Sequence, residues 1–433
     1  MKIQSPPGMR DFYPEDMRVQ NWLFDAWRRT SRAFGFSEYE GPIFEYLDLY
    51  TLKSGEGIVS ELFTFQDRGQ RNFAIRPEMT PTLARMVAAR ANALPRPIKW
   101  FSIPRMCRAE RPQRGRLREF YQWNVDILGI DDPLADAEVI AVAAAFFADV
   151  GLTPADVVIR VSSRPMATAA LKRLNVPDDG VETAFQLIDR AERMPEPEFR
   201  DQWSRQFPQA ASGEQILRIL AQQRLEECLE LARDAGSAGK LAADQITELW
   251  EHLRELDVAD FCAFDLRVVR GLAYYTGVVF EAHPRQGGLR ALLGGGRYDD
   301  LTGLLDGPRV PGVGFGMGDA PVLDFLRQAG RLPKPAETID VFLIDADAKL
   351  RPELLKLATR LRRQGLAVDF SYRRQPVAKQ FKQAAARGAR YALVVGDELA
   401  TRGELTAKNL ATGEQRGLDA GRLSADAHNL LNF

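Results

Sequence analysis

Apolar and polar positions alternate with two different periods in the first part of the chain. From about Asp16 to Phe34 the apolar residues follow a helical spacing, which predicts an amphipathic helix that ends at Gly35. Residues 62–69 and 72–76 instead form two short runs of strand-forming residues around a polar turn, which predicts a β-hairpin. The N-terminal region is therefore predicted to combine helices with an antiparallel sheet.

Two longer strands are predicted on either side of a loop that is dense in arginine. The strands cover residues 99–107 and 119–128, and the loop runs over residues 108–118. Helices are predicted at Thr80–Met86 and at Asp136–Val150, the second with a long apolar face. The arginine-rich loop is therefore predicted to lie at the end of a hairpin.

The pattern changes in the middle of the chain. From about residue 156 to residue 261, a short strand at Val157–Val161 is followed by long stretches with helical periodicity, which predicts an inserted helical module. Strand periodicity returns at Asp265, and Val278–Ala282 is predicted to pair with Leu289–Leu293. The insertion is therefore expected to interrupt a single sheet domain.

A proline-rich segment, residues 331–338, is predicted to be a linker. After it, strand and helix patterns alternate, which is typical of a small α/β domain with a largely parallel sheet. The predicted elements are a strand at 339–344, a helix at 352–364, a strand at 367–372, a helix at 377–387 and a strand at 391–395. The predicted organisation is an antiparallel-sheet domain over 1–330, a linker, and an α/β domain over 339–433.

Composition and charge narrow the class of protein. The 433 residues carry 58 Lys and Arg against 59 Asp and Glu, a formal net charge of -1. That length predicts roughly two to four domains, each able to bury its own core. A composition that is 45% hydrophobic and 27% charged excludes disordered, collagenous and disulfide-dense proteins.

The three cysteines, Cys107, Cys228 and Cys262, have no CxxC spacing, which argues against a zinc knuckle and fits a reducing cytoplasm. The N-terminus has no apolar signal-peptide core. The longest uncharged apolar run, Val139–Ala148, is far shorter than the about 20 residues that span a bilayer. We therefore expect a cytoplasmic protein without a membrane segment.

Histidine is scarce and scattered, at His252, His283 and His428. Only His283 lies near a glycine-rich segment, so metal catalysis by histidines and a Ser/His/Asp triad are not expected. The chemistry of this protein is therefore predicted to depend on Arg, Glu, Gln, Tyr and backbone groups.

The segment from Arg105 to Arg118 contains six arginines and one acid, Glu110. Guanidinium groups bind phosphate oxygens bidentately, so this loop suits a nucleoside triphosphate, a nucleic-acid backbone or both. Glu110 inside the basic run suggests a specific acceptor, for instance for an adenine amino group. A solvated basic loop is the alternative that the residues alone leave open.

A second glycine-bounded segment, Arg270–Gly277, carries one arginine and the adjacent residues Tyr274 and Tyr275. Adjacent residues of a strand point to opposite faces, so at most one tyrosine is expected in a given pocket, and a tyrosine packed in a sheet is the alternative. The triple glycine Gly294–Gly296 allows close approach of a ligand but is equally compatible with an ordinary turn.

Taken together, the motifs of the chain resemble those of class II histidyl-tRNA synthetases, in the same order and spacing over nearly the whole length. The segments that carry the resemblance are Gly8–Asp11, Arg76–Thr80, Arg108–Gln122, Asp136–Glu138, Arg270–Tyr275 and Gly294–Asp299. The resemblance implies an α+β fold, in which helices flank a six-stranded antiparallel catalytic sheet within residues 1–330. It also implies a homodimer with an α/β anticodon-binding domain over 339–433.

The resemblance further implies an aminoacyl-tRNA ligase. Histidine and ATP would form histidyl-adenylate with release of pyrophosphate, and the histidyl group would pass to the 3′ end of tRNA-His. Mg²⁺ would be carried on the ATP phosphates, with no metal held by protein side chains alone.

Site residues follow from the matching motifs. For the histidine substrate, Glu78, Thr80, Gln122 and Asp126 would hold the ammonium group and backbone, and Tyr274 and Tyr275 would line the imidazole pocket. The full set implied at the histidine site is Glu78, Met79, Thr80, Arg108, Gln122, Asp126, Arg270, Tyr274 and Tyr275.

The catalytic and ATP-binding residues come from the same motifs. Arg108 and Arg270 would be the catalytic residues at the α-phosphate, where a fixed cation stabilises developing charge. Glu110 would accept the adenine amino group, and Phe120 would stack on the adenine ring. The implied ATP-binding set is Arg108, Glu110, Phe120, Arg116 and Arg297.

Although the net charge is near zero, the chain contains two basic segments, Arg105–Arg118 and Arg373–Arg390. Both are predicted to contact tRNA. A solvated helix face is the alternative for the second segment. The residues predicted to contact tRNA are Arg114, Arg116, Arg118, Arg373, Arg374, Lys379 and Lys382.

The chain departs from the family pattern at a few positions. Asp126 replaces a Glu, Trp123 replaces a small residue, Ala273 replaces an acid, and Pro321 occupies the place of an arginine that contacts the γ-phosphate. Arg297 or Arg116 is the cation predicted to replace that arginine. Two other functions compete: a catalytically inactive paralogue that senses histidine as a regulatory subunit, and an RNA-binding adaptor that uses only the C-terminal domain.

Overall fold

The computed structural model describes residues 4–54, 61–112, 117–191, 194–220, 224–270, 274–286, 290–305, 307–334 and 339–433. The chain divides into a larger unit that ends at Pro333 and a smaller unit that begins at Lys334, to which Tyr13–Val19 also belong. Residues 335–338 of the predicted linker lie outside the described residues. Within the described ranges, no helix is both long and apolar enough to cross a membrane.

The larger unit contains helices and strands in irregular succession. Its helices are α1 (Pro14–Ala33), α2 (Asp48–Ser54), α3 (Thr80–Ala88), α4 (Pro133–Asp149), α5 (Arg164–Arg173), α6 (Val181–Ala191), α7 (Glu196–Gln206), α8 (Gly213–Leu220), α9 (Leu225–Arg233), α10 (Ser237–Glu255) and α11 (Asp319–Gln328). Its strands are β1 (Ser37–Glu38), β2 (Phe44–Tyr46), β3 (Thr64–Gln66), β4 (Asn72–Ile75), β5 (Ile98–Ser102), β6 (Arg105–Cys107), β7 (Glu119–Leu128), β8 (Val157–Ser163), β9 (Cys262–Phe264), β10 (Val278–Pro284), β11 (Leu293–Arg297) and β12 (Gly312–Gly318).

A central sheet organises this unit. Six strands run antiparallel in the order β5-β7-β12-β11-β10-β8. Strands β1 and β9 extend the two edges by parallel pairing, and β6 pairs with the start of β7. The predicted six-stranded antiparallel core is therefore confirmed, with additional edge strands.

One face of the sheet is covered by helices through large aromatic side chains. Trp123 of β7 stacks on Trp27 of α1 at a centroid distance of 5.8 Å and packs edge-on against Phe146 of α4 and Phe315 of β12. Side chains alternate along a strand, so burying Trp123, Val125 and Ile127 on this face directs Gln122, Asn124 and Asp126 to the opposite one. The aromatic core thereby fixes which face of β7 presents polar groups.

Three strand predictions differ from the structure in detail. The run predicted at 99–107 is interrupted between β5 and β6 because Pro104 has no amide hydrogen for the ladder. Strand β8 pairs with β10 in the central sheet, so the helices of the insertion begin at Arg164. The partner of β10 begins at Leu293 and includes the three glycines. Of the strand predicted at 289–293, therefore, only Leu293 belongs to β11, and Leu289 lies outside the described residues.

A small sheet in the order β2-β4-β3 carries the predicted hairpin, formed by β3 and β4. Its aromatic side chains Phe44, Phe65 and Phe73 contact one another at centroid distances of 5.3 to 5.6 Å. Phe44, Tyr46 and Phe65 remain 45%, 53% and 41% exposed. This sheet therefore presents an aromatic surface.

The smaller unit follows the predicted alternation of strands and helices. Its elements are β13 (Ile339–Asp345), α12 (Arg351–Arg363), β14 (Val368–Phe370), α13 (Val377–Ala386), β15 (Ala389–Val395), α14 (Asp397–Arg402), β16 (Glu404–Asn409), β17 (Gln415–Asp419), α15 (Ala420–Ala425) and α16 (Ala427–Leu430). The sheet order is β14-β13-β15-β16-β17, with the first three strands parallel and the last two antiparallel. Central strand β13 contributes to apolar clusters on both faces.

Candidate active site

Two glycines of β11 leave space above the sheet for side chains from another segment. A methyl group at Gly294 would overlap the guanidinium of Arg270, and one at Gly296 would lie 2.8 Å from Cδ1 of Tyr275. Only glycine permits such close approach. The triple glycine, which the sequence left open between a turn and a ligand contact, is therefore a strand on which Arg270 and Tyr275 lie.

The neighbouring strand β12 repeats this arrangement. A methyl group at Gly314 would overlap the carboxylate of Asp126, and one at Gly316 would lie 2.7 Å from the side-chain amide of Gln122. The glycines of the two central strands thus form one floor, on which β7 and the segment before β10 place their polar side chains. Residues far apart in the sequence converge there because the floor has no side chains of its own.

Arg270 is held in an unusual conformation at this floor. Its φ of 56° lies in the left-handed region, which residues other than glycine adopt rarely and often at functional sites. The side chain is half-buried, and Nη1 donates to Oε1 of Glu281. Burial opposes the charged form, but the charges of Glu281 and the nearby tyrosines raise the pKa of Arg270 further above its usual value. Nε is buried without a hydrogen-bond partner among the described residues.

Both tyrosines of the Arg270 segment are buried in the same cluster. Their ring centroids are 5.0 Å apart, and the hydroxyl of Tyr274 donates to Oε2 of Glu78 at 3.0 Å. Burial raises the pKa of Tyr275 to about 12. The expectation that the two adjacent tyrosines point to opposite faces was wrong, because the pair precedes the first residue of β10, Val278, and does not follow strand alternation.

Asp126 is a buried carboxyl group of β7. The hydroxyl of Tyr298 donates to its Oδ1 at 2.5 Å, and the Tyr298 ring packs edge-on against Tyr274 at 6.2 Å. Burial raises the pKa of Asp126 from 3.8 to about 7, and the hydrogen bond from Tyr298 offsets only part of this effect. The carboxyl group can therefore change its charge near neutral pH.

A second cation, Arg108, directly follows β6. Arg108 Nε donates to the carbonyl of Pro77 at 3.0 Å, and its guanidinium lies 5.2 Å from the ring centre of Phe120. The Pro77 contact ties the arginine-rich hairpin to the segment that carries Glu78. A buried arginine, a flat aromatic ring and carboxylates around a glycine floor suit a substrate that carries phosphate, a base and an amino group.

Comparison with known proteins agrees with this geometry. A family model described as histidyl-tRNA synthetase matches residues 8–320, and a model of the anticodon binding domain matches residues 339–426. The chain belongs to the histidyl-tRNA synthetase family. The resemblance seen in the sequence motifs is therefore confirmed.

Individual members of the histidyl-tRNA synthetase family match over nearly the whole chain. A histidine–tRNA ligase of Opitutus terrae is 41% identical over 403 residues, 92% of each chain. The chloroplastic/mitochondrial histidine–tRNA ligase of Arabidopsis thaliana is 38% identical over 413 residues, 95% of this chain and 84% of the relative. The crystal structure of the histidyl-tRNA synthetase from Nostoc sp. superposes with a TM-score of 0.81 at 25% identity, covering 98% of both chains.

The segment before α3 supplies the remaining residues expected at a histidyl-tRNA synthetase amino-acid site. Glu78 and Thr80 are half-buried, and Glu78 contacts Tyr274 as described. The side chain of Met79 is fully buried, with its sulfur 3.9 Å from Nη1 of Arg76. Met79 therefore packs beneath the site, while its two neighbours border it.

The structure contradicts the assignment of Arg297 to ATP. Its guanidinium is 7% exposed and forms a salt bridge with Asp136 at 2.6 Å, and it also donates to Asp299 and the carbonyl of Ile130. Arg297 pairs with Val313, near the end of the sheet opposite Gln122. It is an interior residue of the synthetase core whose charge is already neutralised, so it cannot replace the phosphate-binding arginine.

Pro321 lies in the first turn of α11, where another cation has a buried partner. Arg10 Nη2 donates to Oδ2 of Asp319 at 2.7 Å, and the backbone amide of Tyr121 donates to Oδ1 at 3.1 Å. Asp319 is fully buried, and burial raises its pKa although Arg10 opposes the shift. The sequence analysis assigned no site role to Arg10, although this residue belongs to the segment Gly8–Asp11 that carries the family resemblance.

The tip of the arginine-rich loop lies outside the described residues, and with it Arg114 and Arg116. At its base, Arg118 Nε donates to the carbonyl of Glu110 at 2.9 Å, while the Arg118 amide donates to Gly8 at 2.9 Å. Arg118 thus closes the loop and links it to the N-terminal segment.

The basic residues of the anticodon-domain unit lie after β14 and on α13. Arg373, Arg374, Lys379 and Lys382 are all exposed, next to Tyr372, which is 86% exposed. They therefore form a basic surface of the smaller unit.

Two site residues of this synthetase core were missed in the sequence. Glu281 contacts Arg270 directly, and His283 contacts the carboxylate of Glu281. The available signals were their spacing of two on a strand, which places both on one face, and the position of His283 beside a glycine-rich segment. Neither signal indicates which residue across the sheet they contact.

Proposed function

We propose that the chain activates L-histidine with ATP to histidyl-adenylate and transfers the histidyl group to the 3′ end of tRNA-His. The observation that carries the proposal is the convergence of four side chains over the glycine floor of β11 and β12, namely those of Arg270, Tyr275, Gln122 and Asp126. Membership of the histidyl-tRNA synthetase family supports the same activity.

The amino-acid pocket has the groups that histidine requires. Asp126 offers a carboxyl oxygen for the imidazole or ammonium N–H groups, and the buried tyrosines Tyr274 and Tyr275 supply flat walls for the imidazole ring. Glu78 carries negative charge beside the Tyr274 hydroxyl, and Gln122 adds an amide donor and acceptor. Buried polar groups that a substrate must satisfy give strong discrimination against analogues that lack the matching atom.

The ATP-binding residues provide cations and a stacking surface. Arg108 and Arg270 are the catalytic residues: each would place a guanidinium at the α-phosphate, where charge develops as the histidine carboxylate attacks. Phe120 would stack on the adenine, and Glu110 would accept its amino group. Mg²⁺ would arrive with ATP, coordinated by phosphate oxygens. Since the substrate carboxylate is itself the nucleophile, positioning supplies much of the acceleration.

The smaller unit would bind the anticodon part of the tRNA through Arg373, Arg374, Lys379 and Lys382. Its match to an anticodon binding domain supports this role. Contacts to a phosphate backbone release counterions, so affinity would fall steeply with salt.

Two copies of the chain would associate through the aromatic surface of the sheet β2-β4-β3. The contiguous exposed rings of Phe44, Tyr46 and Phe65 support an interface, and twofold dimers are the commonest assembly. The absence of a CxxC spacing among Cys107, Cys228 and Cys262 fits a cytoplasmic location. The substitution pair Phe44→Glu and Phe65→Glu should convert dimers to monomers in sedimentation.

Histidine-dependent exchange of pyrophosphate into ATP tests the proposed activity. The expected result is exchange with L-histidine and none with other amino acids, followed by charging of tRNA-His. Binding of histidine without exchange would instead support a regulatory paralogue, and tRNA binding with neither would support an RNA-binding adaptor. Arg270→Ala is the matched control, because removal of this cation should reduce exchange to a small residual rate.

A further inference from the structure

The carboxylate of Glu281 contacts two side chains at once. Its Oε1 accepts from Nη1 of Arg270, and its Oε2 lies 2.9 Å from Nε2 of His283. The side chains of Glu281 and His283 are only 19% and 16% exposed. Both carboxylate oxygens are therefore engaged, which prevents the group from rotating away from Arg270.

Strand geometry explains why these residues meet. Glu281 and His283 are two positions apart on β10, so they share a face, and Glu281 pairs with Gly294 of β11. The guanidinium of Arg270 occupies the space that Gly294 leaves open. The cation, the carboxylate and the imidazole thus form a row along the glycine floor.

Charge favours the same arrangement. Burial opposes ionisation of Glu281, but the hydrogen bond with His283 and the charge of Arg270 together lower its pKa to about 2. Glu281 is therefore a carboxylate at neutral pH. A buried guanidinium without such a partner would be strongly destabilising.

We propose that Glu281 and His283 are positioning residues that hold the Arg270 guanidinium at the α-phosphate, with His283 fixing the orientation of the Glu281 carboxylate. This inference rests on the proposed function. Arg270 uses Nη1 to bind Glu281 and keeps Nε buried without a partner among the described residues. The pair therefore fixes one edge of the guanidinium and leaves other donors for the substrate.

The role predicts a specific kinetic signature. Because the two residues act through Arg270, disturbing them should reduce kcat for pyrophosphate exchange more than it raises the KM for histidine. His283→Leu removes the imidazole contact and should lower kcat about tenfold, which is about 1.4 kcal/mol. His283→Gln keeps an N–H donor and should restore most of the rate.

A double-mutant cycle separates positioning from a purely structural effect. In an Arg270→Ala background, His283→Leu should cause no further loss of exchange, because the residue that it positions is absent. Glu281→Gln, which conserves shape, should behave like His283→Leu. Thermal unfolding of each variant shows whether the chain is folded under the assay conditions.

The outcomes distinguish this inference from the proposed function. Wild-type exchange with an unchanged kcat for folded His283→Leu and Glu281→Gln would overturn the positioning role alone. An equal loss on adding His283→Leu to the wild type and to Arg270→Ala would also overturn it. A wild-type chain that does not exchange pyrophosphate would overturn both.

Discussion

The hydroxyl of Tyr298 donates a hydrogen bond to Asp126 at 2.5 Å, although the strands that lead to them, β11 and β7, are separated by β12. The contact is possible because the intervening strand carries glycine: a methyl group at Gly312 would lie 2.6 Å from the Tyr298 ring, and one at Gly314 would overlap Asp126. The pair buries a carboxyl group whose pKa is raised to about 7.

Asp126 should make the stability of the protein fall as pH rises. Its folded-state pKa is about 7 against an ordinary value of 3.8, so between these values the folded chain keeps a proton that the unfolded chain has released. Stability should then decrease by up to about 1.4 kcal/mol per pH unit and level off above the folded pKa. Asp126→Asn should lack this decrease, as urea unfolding at pH 5 and pH 8 would show. The same change in unfolding free energy with pH in the wild type and in Asp126→Asn would contradict the assignment of this pH dependence to Asp126.

Gly314→Ala should damage the histidine pocket. The new methyl group would overlap the Asp126 carboxylate and lie 2.6 Å from the carbonyl of Val125, so the backbone or Asp126 must move. We expect a loss of about 1–3 kcal/mol of stability and a raised KM for histidine in pyrophosphate exchange. Gly303→Ala is the control, because nothing lies within 4 Å of its position. Equal effects of the two substitutions would argue against the close packing.

Substitution of Arg297 should affect the stability of the fold, whereas substitution of Arg108 should affect ATP binding. Arg297→Leu leaves the buried Asp136 without its cation, and loss of one partner of a buried pair costs about 3–5 kcal/mol. Provided that the variant still folds at low temperature, its KM for ATP should remain near the wild-type value. Arg108→Ala should instead raise the KM for ATP at least tenfold with little change in unfolding. A raised KM for ATP in the folded Arg297→Leu variant would instead show that Arg297 contributes to phosphate binding.

Arg10 and Asp319 should behave as a coupled pair. Arg10→Met leaves the fully buried Asp319 carboxylate without its cation and with backbone amides such as that of Tyr121 as donors. This loss should cost about 3 kcal/mol, at the low end for a buried pair because Arg10 is partly exposed. Adding Asp319→Leu should recover most of this loss, because an apolar pair replaces the charged one. Urea unfolding of the two single variants and the double variant measures the coupling. Additive losses would show that the ion pair contributes nothing of its own.

The basic surface of the smaller unit should act through charge. Arg373→Ala combined with Lys379→Ala should weaken tRNA-His binding and reduce the slope of log K against log salt by about 1–2, since each phosphate contact contributes about 0.7–0.9. Histidine-dependent pyrophosphate exchange should remain unchanged. Arg402 is also exposed, so Arg402→Ala serves as a control for the loss of surface charge. An unaltered salt slope in the double variant would place the tRNA contact elsewhere.

Local patterns were sufficient for most elements. The helical spacing predicted α1 within two residues at its N-terminus and one at its C-terminus, and the strand at 119–128 was predicted with the bounds that β7 has. The alternating C-terminal domain was also predicted element by element up to β15. These features depend on residues that are close in sequence, where apolar spacing and glycine or proline positions act directly.

Contacts between distant strands could not be predicted in the same way. The triple glycine was compatible with a turn, the paired tyrosines were expected to face apart, and Arg297 was expected at the ATP phosphates. For the triple glycine and for Arg297 the outcome depends on which residue lies opposite on a neighbouring strand, a relationship set by the register of the whole sheet. For the tyrosines it depends on where β10 begins.

By itself, then, the sequence determined the family, the elements and the residue types of the site. The tertiary structure decided that Arg270 lies over Gly294, that Glu281 and His283 hold it, and that Arg297 is neutralised in the core by Asp136. The physical reason is that burial and pairing of a charge depend on neighbours brought together only by folding, and these neighbours decide whether a cation can bind a substrate.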